Sequence, residues 1–166
     1  MENCPCGTEL AYLQCCGKFI IGNAIPTTPE ELMRSRYTAY TMANVDYIAT
    51  TMKAPANKDF DPETAREWAE QVQWLKLEIV QTKQETNEKG SVEFLAHYAD
   101  ENKRYILHEI SDFHFENGHW YYVDGRGSDR KSLPQQKTSL PNRNDPCHCG
   151  SDVKFKKCCG HPSKTS

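Results

Sequence analysis

The amino-acid sequence predicts an α+β fold in which helices pack on a curved antiparallel sheet, with a small metal-binding module at each end of the chain. The middle of the sequence begins with helix-start signals and with apolar residues at helical spacing. Alternating apolar runs, which are typical of strands, follow. All eight cysteines belong to one pattern, Cys-x-Cys-x8-Cys-Cys, which is written once near each end. Helices followed by an antiparallel meander are typical of α+β domains, and clustered cysteines are typical of metal modules.

The cysteine pattern supplies two complete sets of four soft ligands, which is the number that a tetrahedral zinc site needs. No cysteine is left over, so we expect two zinc ions per chain. Thiolate sites also accept iron, and the motif does not distinguish the two metals. The predicted ligands are Cys4, Cys6, Cys15 and Cys16 in the first copy and Cys147, Cys149, Cys158 and Cys159 in the second.

Disulfide bonds are the alternative use of these cysteines. Adjacent cysteines such as Cys15 and Cys16 bridge only with a distorted peptide, since bonded cysteines have Cα atoms about 4.4–6.8 Å apart, whereas bridges between the close pairs are allowed. The N-terminus lacks the pattern of a secretory signal, and no stretch approaches the roughly 18 apolar residues of a membrane span. We therefore expect a cytoplasmic protein without a membrane partner, in which metal binding is favoured over disulfides and redox chemistry.

Two helix starts are written in the middle of the sequence. Thr28 can cap a helix whose first turn holds Pro29, and Glu31 completes a capping box. Asp61 precedes Pro62 and begins another helix by the same logic. We expect a break in the first helical stretch near residues 44–46. The apolar residues at helical spacing are Leu32, Met33, Tyr37, Tyr40 and Tyr47.

Alternating apolar runs after the helices predict four antiparallel strands. Asn117 and Gly118 form a two-residue hairpin signal between the last two. The runs comprise Leu75, Leu77 and Ile79; Val92, Phe94, Ala96 and Tyr98; residues 103–115; and residues 120–123.

The two cysteine copies resemble the SEC-C motif, the zinc-binding tail best known from the bacterial protein-export ATPase SecA. Both copies keep a glycine after the first cysteine pair, Gly7 or Gly150, where a tight turn can point backbone N–H groups at thiolate sulfurs. Both also keep an aromatic residue, Tyr12 or Phe155. The resemblance implies a docking device for a SecB-like chaperone or for ribosomes.

Two such motifs around a middle region resemble the YchJ family, whose middle part has a nuclear-transport-factor-2-like (NTF2-like) fold. The likeness rests on Leu-Met-Arg-Ser-Arg-Tyr at residues 32–37, Trp-Tyr-Tyr-Val-Asp-Gly at 120–125 and Arg-Asn-Asp-Pro-Cys at 143–147. Glu9, Ala11 and His148 depart from the usual motif residues, and the first two weaken a binding role for the first copy. The predicted parts are a module at 1–22, the middle domain at 23–126, a linker at 127–142, a module at 143–161 and a tail at 162–166.

Charge separates the two copies. The whole chain, at 37% hydrophobic, 26% charged and net −3, is neither disordered in composition nor strongly suited to nucleic acid. Residues 143–166 hold five basic residues against two acidic ones, a difference of +3. Lys154, Lys156 and Lys157 can therefore dock on a protein or on ribosomal RNA, or they can simply balance the thiolates of their own metal site.

The middle fold commonly forms a conical pocket, so a binding or enzymatic role is the alternative to a docking role. Period-two counting places Glu109 on the inner face of its strand, with Arg34 or Arg36 as its expected partner. Such a pair can be a core staple or a ligand clamp. The histidines mostly fall on the other face, so we assign no catalytic residue and lean against an enzyme.

Overall fold

The computed structural model describes residues 3–101 and 103–127, which lie in the first of two units of the chain, Met1–Lys131. The predicted linker from residue 128 onward, the second cysteine set, the tail and the three docking lysines lie outside the described residues. The elements are a 3-10 turn at Tyr12–Gln14, helices α1 Gly17–Ile20, α2 Pro29–Thr41, α3 Val45–Thr50 and α4 Pro62–Gln71, and strands β1 Gln73–Gln84, β2 Lys89–Asp100, β3 Lys103–Glu116 and β4 His119–Gly127.

The predicted helix starts are confirmed by their caps. Thr28 Oγ1 accepts the backbone N–H of Glu31 at 3.1 Å, and Asp61 accepts that of Thr64 at 3.0 Å. The Glu31 carboxylate reaches the N–H of Thr27 rather than that of Thr28, so the capping box is displaced by one residue. Asn44 caps α3, which confirms the predicted break between α2 and α3.

The four strands form one antiparallel sheet in the order β1-β2-β3-β4. The β3–β4 hairpin turns at Asn117 and Gly118, which have φ values of 50° and 84°. Positive φ at both central residues matches the right-handed twist of the strands, and it is the reason that this dipeptide is favoured there. The predicted hairpin is confirmed.

Strand β1 departs from the predicted alternation. Its pairing with β2 shifts between Trp74 and Lys76, so Leu75 is bulged and 41% exposed while Leu77 is only 5% exposed. The predicted alternation of Leu75 and Leu77 is therefore interrupted at Leu75. A single bulge inserts one residue and moves the neighbouring side chain to the opposite face.

The core lies between α2 and the inner face of the sheet. Phe113 and Val92 from the sheet and Leu32 from α2 are fully buried in it. The same core cluster contains Cys4, Cys6 and Cys16. The predicted parts at 1–22 and 23–126 thus share one hydrophobic core. No helix of the described chain is long and apolar enough to cross a membrane.

Candidate metal centre

The first cysteine copy folds as a short loop closed by backbone hydrogen bonds. The N–H of Cys4 donates to the carbonyl of Leu10 at 2.7 Å, and the N–H of Gly7 donates to the carbonyl of Cys4 at 3.2 Å. Gly7 has φ +82°, a conformation that favours glycine. Its N–H closes the turn on the Cys4 carbonyl, and the backbone N–H of the next residue, Thr8, bonds the Cys6 sulfur. The glycine turn thus points a backbone N–H at a sulfur, as the sequence predicts. The loop returns through the 3-10 turn to Cys15 and Cys16.

The loop brings all four sulfurs of the first copy together. The four Sγ atoms of Cys4, Cys6, Cys15 and Cys16 lie within 4.8 Å of one another. Cys6 and Cys15 are 3.5 Å apart and Cys15 and Cys16 are 3.9 Å apart, with no disulfide among them. Tetrahedral zinc with Zn–S bonds of about 2.3 Å requires sulfurs about 3.8 Å apart. The four cysteines could hold a metal ion at this spacing.

Two threonine hydroxyls contact the sulfurs. Thr8 Oγ1 lies 3.1 Å from the Cys15 sulfur and 3.4 Å from that of Cys6, and Thr38 Oγ1 of α2 lies 3.7 Å from that of Cys4. Hydroxyl donors in this second layer orient thiolates and stabilise their charge. Sequence reasoning missed both threonines. The signal for Thr8 was present, because the second copy also has a hydroxyl residue, Ser151, at the corresponding position.

The thiols perturb one another strongly. A hydrogen bond from the Cys16 thiol lowers the pKa of Cys6 to about 4. The same hydrogen bond, together with burial, raises the pKa of Cys16, and burial raises the pKa of Cys15. Metals bind the thiolate form of cysteine, so binding of a divalent ion here must release protons from Cys15 and Cys16.

The cysteine cluster is buried against α2. Cys4, Cys6 and Cys16 are 4%, 0% and 1% exposed. Arg34 of α2 donates from Nη1 to the Cys6 carbonyl at 3.0 Å and pairs with Glu30 at 2.8 Å. Arg34 thus lies beside the cysteine cluster, where it holds the loop, and it does not line the cavity that contains Glu109.

Arg36 lies on the other side of α2 and is 5% exposed. Its Nη1 donates to the Ile48 carbonyl and to Thr51 Oγ1, both at 2.8 Å, and its guanidinium lies 4.6 Å from the centre of the Tyr122 ring. Burial lowers the pKa of Arg36, and the neighbouring phenols and Glu109 partly offset this. Arg36 therefore joins α3 and β4 to α2.

Glu109 is half-buried and does not form the expected ion pair with either arginine. Ser111 Oγ donates to its Oε1 at 2.7 Å, and the Tyr122 hydroxyl donates to the same oxygen at 3.4 Å. Burial, followed by the Glu109 carboxylate, raises the pKa of Tyr122, so the phenol stays protonated as a donor. The helix-end carbonyl of Ile48 holds Arg36 instead. Arg36 and Glu109 nevertheless line the same cavity.

The histidines of the sheet lie away from this cavity, as the strand parity predicted. His108 Nε2 is 2.9 Å from Glu93 Oε1, and His97 Nε2 is 3.0 Å from Glu78 Oε1. None of the four residues lines the cavity of Arg36 and Glu109. The described residues therefore place no histidine where it could act as an acid or base in the cavity.

Comparison with known protein families gives two matches. Residues 28–125 match the family described as YchJ, middle NTF2-like domain. Residues 143–160 match the SEC-C motif, which is the second cysteine copy. The first match covers the whole region in which the sequence predicted helices followed by strands.

Relatives of similar length align along nearly the whole chain. A UPF0225 protein of Geobacter sulfurreducens is 45% identical over 159 residues, which are 95% of this chain and 97% of that protein. A UPF0225 protein of Vibrio parahaemolyticus is 42% identical over 166 residues, covering 96% and 99% of the two chains.

Two solved structures share the fold. The solution structure of a SEC-C motif containing protein from Rhodopseudomonas palustris has a TM-score of 0.71 at 34% identity, covering 77% of this chain and all of that one. The crystal structure of a SEC-C motif containing protein from Psychrobacter arcticus has a TM-score of 0.67 at 30% identity, covering 96% of both. The α+β class and the resemblance predicted from the sequence are confirmed.

Proposed function

Because the chain belongs to the YchJ family with an NTF2-like middle domain and a SEC-C motif, we propose that it is a zinc-binding docking protein whose two cysteine sets have different roles. The first set holds a structural zinc ion. The second set holds another ion and presents the docking surface. No catalytic residue is part of this proposal.

The burial of the first cysteine set carries the structural role. Three of its four cysteines belong to the core that also contains Leu32, Phe94 and Phe113. A metal ion bound there would join the N-terminal loop to α2 and supply the positive charge that four converging thiolates require. A core position leaves little of the cluster's surface for a partner, which supports assigning docking to the other copy.

The cationic loop of the second copy supports the docking role. Lys154, Lys156 and Lys157 correspond to Ala11, Leu13 and Gln14 of the first copy. In the first copy Leu13 is 63% exposed and Gln14 is exposed, and neither contributes a sulfur. Lysine is a long, strongly hydrated cation, so at these positions of the motif it would be available to an acidic protein surface or to ribosomal RNA phosphates.

The proposal is tested with the full-length protein. Elemental analysis of protein purified without chelator should give two zinc ions per chain. Replacing Lys154, Lys156 and Lys157 with glutamate should then abolish co-sedimentation with ribosomes, or capture of an acidic SecB-like chaperone, without loss of zinc, since lysine is not a zinc ligand.

The matched control changes the same charge elsewhere. Lys58, Lys83 and Lys89 are exposed and form no ion pair among the described residues, so their replacement by glutamate should leave docking unchanged. Wild-type binding should also weaken as salt rises, because exposed charges are screened over about 8 Å at physiological ionic strength. If both triple variants bound ribosomes and the chaperone equally well, the docking role would be wrong. The lysines of the second copy would then serve only to balance the charge of the thiolates.

A further inference from the structure

A second site, separate from the cysteines and from the docking role, lies between the helices and the inner face of the sheet. The described residues enclose a cavity of about 360 Å³ there. Its volume falls within the range of small-molecule sites, about 300–1,000 Å³, and such sites combine apolar walls with a few placed polar groups. Its aromatic walls include Tyr37, Tyr40, Phe60, Trp68, Trp74 and Phe94.

Arg36 brings unused hydrogen-bond donors to this cavity. Both of its hydrogen bonds come from Nη1, and Nε and Nη2 make none to any described residue. Neither nitrogen is fully enclosed by the described residues, so each keeps some accessible surface. Arg36 is only 5% exposed and lines the cavity. We therefore infer that the accessible surface of these two donors faces the cavity.

Glu109 brings an unused acceptor to the same cavity. Ser111 and Tyr122 both donate to its Oε1, and Oε2 has no hydrogen-bond partner among the described residues. The two hydroxyls fix the orientation of the carboxylate. Arg36 and Glu109 are close enough to influence each other electrostatically, yet they form no direct ion pair.

Gly125 of β4 keeps the space around this carboxylate clear. A Cβ atom at that position would lie 2.4 Å from Glu109 Oε1 and 2.4 Å from the Tyr122 hydroxyl. Any side chain there would have to displace the Glu109–Tyr122 pair. The glycine therefore preserves a polar arrangement on the cavity wall.

The charges of the cavity favour a neutral ligand, since the buried Arg36 repels a cation and the acidic residues repel an anion. Arg36 and Glu109 balance each other inside, whereas Asp59 and Asp124 line its exposed end and disfavour an anion. A bound molecule must accept from the buried Arg36 and donate to the half-buried Glu109 to satisfy both groups. The aromatic walls favour a flat ring. We propose that this cavity binds a small neutral planar heterocycle whose edge carries a carbonyl acceptor beside an N–H donor, as the lactam edge of guanine does.

The test uses full-length zinc-loaded protein and three nucleosides, with calorimetry or ligand-observed NMR as the readout. Guanosine has both the carbonyl and the N–H, 1-methylguanosine lacks that N–H, and purine riboside lacks both groups. Guanosine should bind at least about tenfold more tightly than either analogue, since leaving one buried polar group unpaired costs about 1–3 kcal/mol. Equal affinity for the three, or no binding of guanosine at about 1 mM, overturns the proposal.

Two variants locate the binding in this cavity. Glu109→Gln retains the shape of the side chain, and Gly125→Ala displaces the carboxylate without changing a charge, so both should weaken guanosine binding by about tenfold. Glu78→Gln is the matched control, because Glu78 lies outside the cavity and pairs with Lys76 and His97. Unchanged guanosine affinity in both cavity variants, with unchanged circular dichroism and zinc content, would overturn the assignment.

Discussion

The two sides of α2 use the same residue type in different ways. Arg34 lies on the metal side, partly exposed, and is held by Glu30 and the Cys6 carbonyl. Arg36, two positions later, is buried on the cavity side against Tyr122 and the end of α3. A helix turns about 100° per residue, so neighbouring arginines of one motif face different surroundings. Arg34 therefore holds the N-terminal loop against α2, whereas Arg36 lines a cavity.

The two sides also differ in how their polar groups are satisfied. On the metal side the sulfurs converge on one point, and only a cation satisfies several thiolates there. On the cavity side Arg36 and Glu109 have opposite charges and keep separate partners. The first arrangement could hold a metal ion, and the second leaves a cavity between groups of opposite charge. The same helix thus supports two sites with different chemistry.

The largest expected effect comes from removing one sulfur of the first copy. Cys6 is fully enclosed and shares the core with α2, so Cys6→Ser removes a ligand and alters a core contact. The free energy of unfolding should fall by about 5 kcal/mol or more, because structural zinc binding contributes on the order of 10–16 kcal/mol in small peptides. Urea denaturation followed by tryptophan fluorescence measures the change, since the tryptophans are Trp68, Trp74 and Trp120.

Cys149→Ser is the matched control for this change. Cys149 is the corresponding cysteine of the second copy and belongs to the other unit of the chain, Ser132–Ser166. Its replacement should lower the zinc content by one ion and leave the tryptophan transition in place. The structural role of the first set would be refuted by equal shifts of the transition in both variants.

A smaller loss of stability is expected when either arginine of α2 is replaced. Arg36→Ala removes two hydrogen bonds from a buried guanidinium and its contact with Tyr122, so it should destabilise the domain by about 3 kcal/mol. Arg34→Ala removes a partly exposed ion pair and one bond to a carbonyl, and should cost about 1 kcal/mol. Denaturant midpoints of the two variants measure the difference, and the reverse order would show that the two sides of α2 have been assigned wrongly.

An effect as small as that of Arg34→Ala is expected at Glu109. Because this carboxylate is half-buried and is not paired with an arginine, Glu109→Ala should lower stability by about 1 kcal/mol, the contribution of its bonds to Ser111 and Tyr122. An arginine staple would instead cost about 3–5 kcal/mol on truncation. Thermal unfolding distinguishes these values, and the larger loss would indicate that Arg36 and Glu109 pair directly in solution.

The sequence by itself determined the features that depend on local chemistry. The caps at Thr28 and Asp61 and the hairpin at Asn117–Gly118 follow from hydrogen bonds and φ preferences within a few residues. The four-sulfur cluster of the first copy also follows from spacing along one short loop. The class of the fold and the resemblance to the family could be predicted for the same reason, since each rests on patterns written along the chain.

Only the tertiary structure decided which distant groups meet. The bulge at Leu75 depends on pairing with β2, so counting along β1 could not predict it. The burial of Cys6 against α2 depends on the packing of the N-terminal loop. A long side chain has several possible partners within reach. Arg36 donates to the Ile48 carbonyl, and Glu109 accepts from Ser111 instead of pairing with Arg36. Alternation and spacing specify a face, whereas the partner on that face is set by the three-dimensional packing of separate elements.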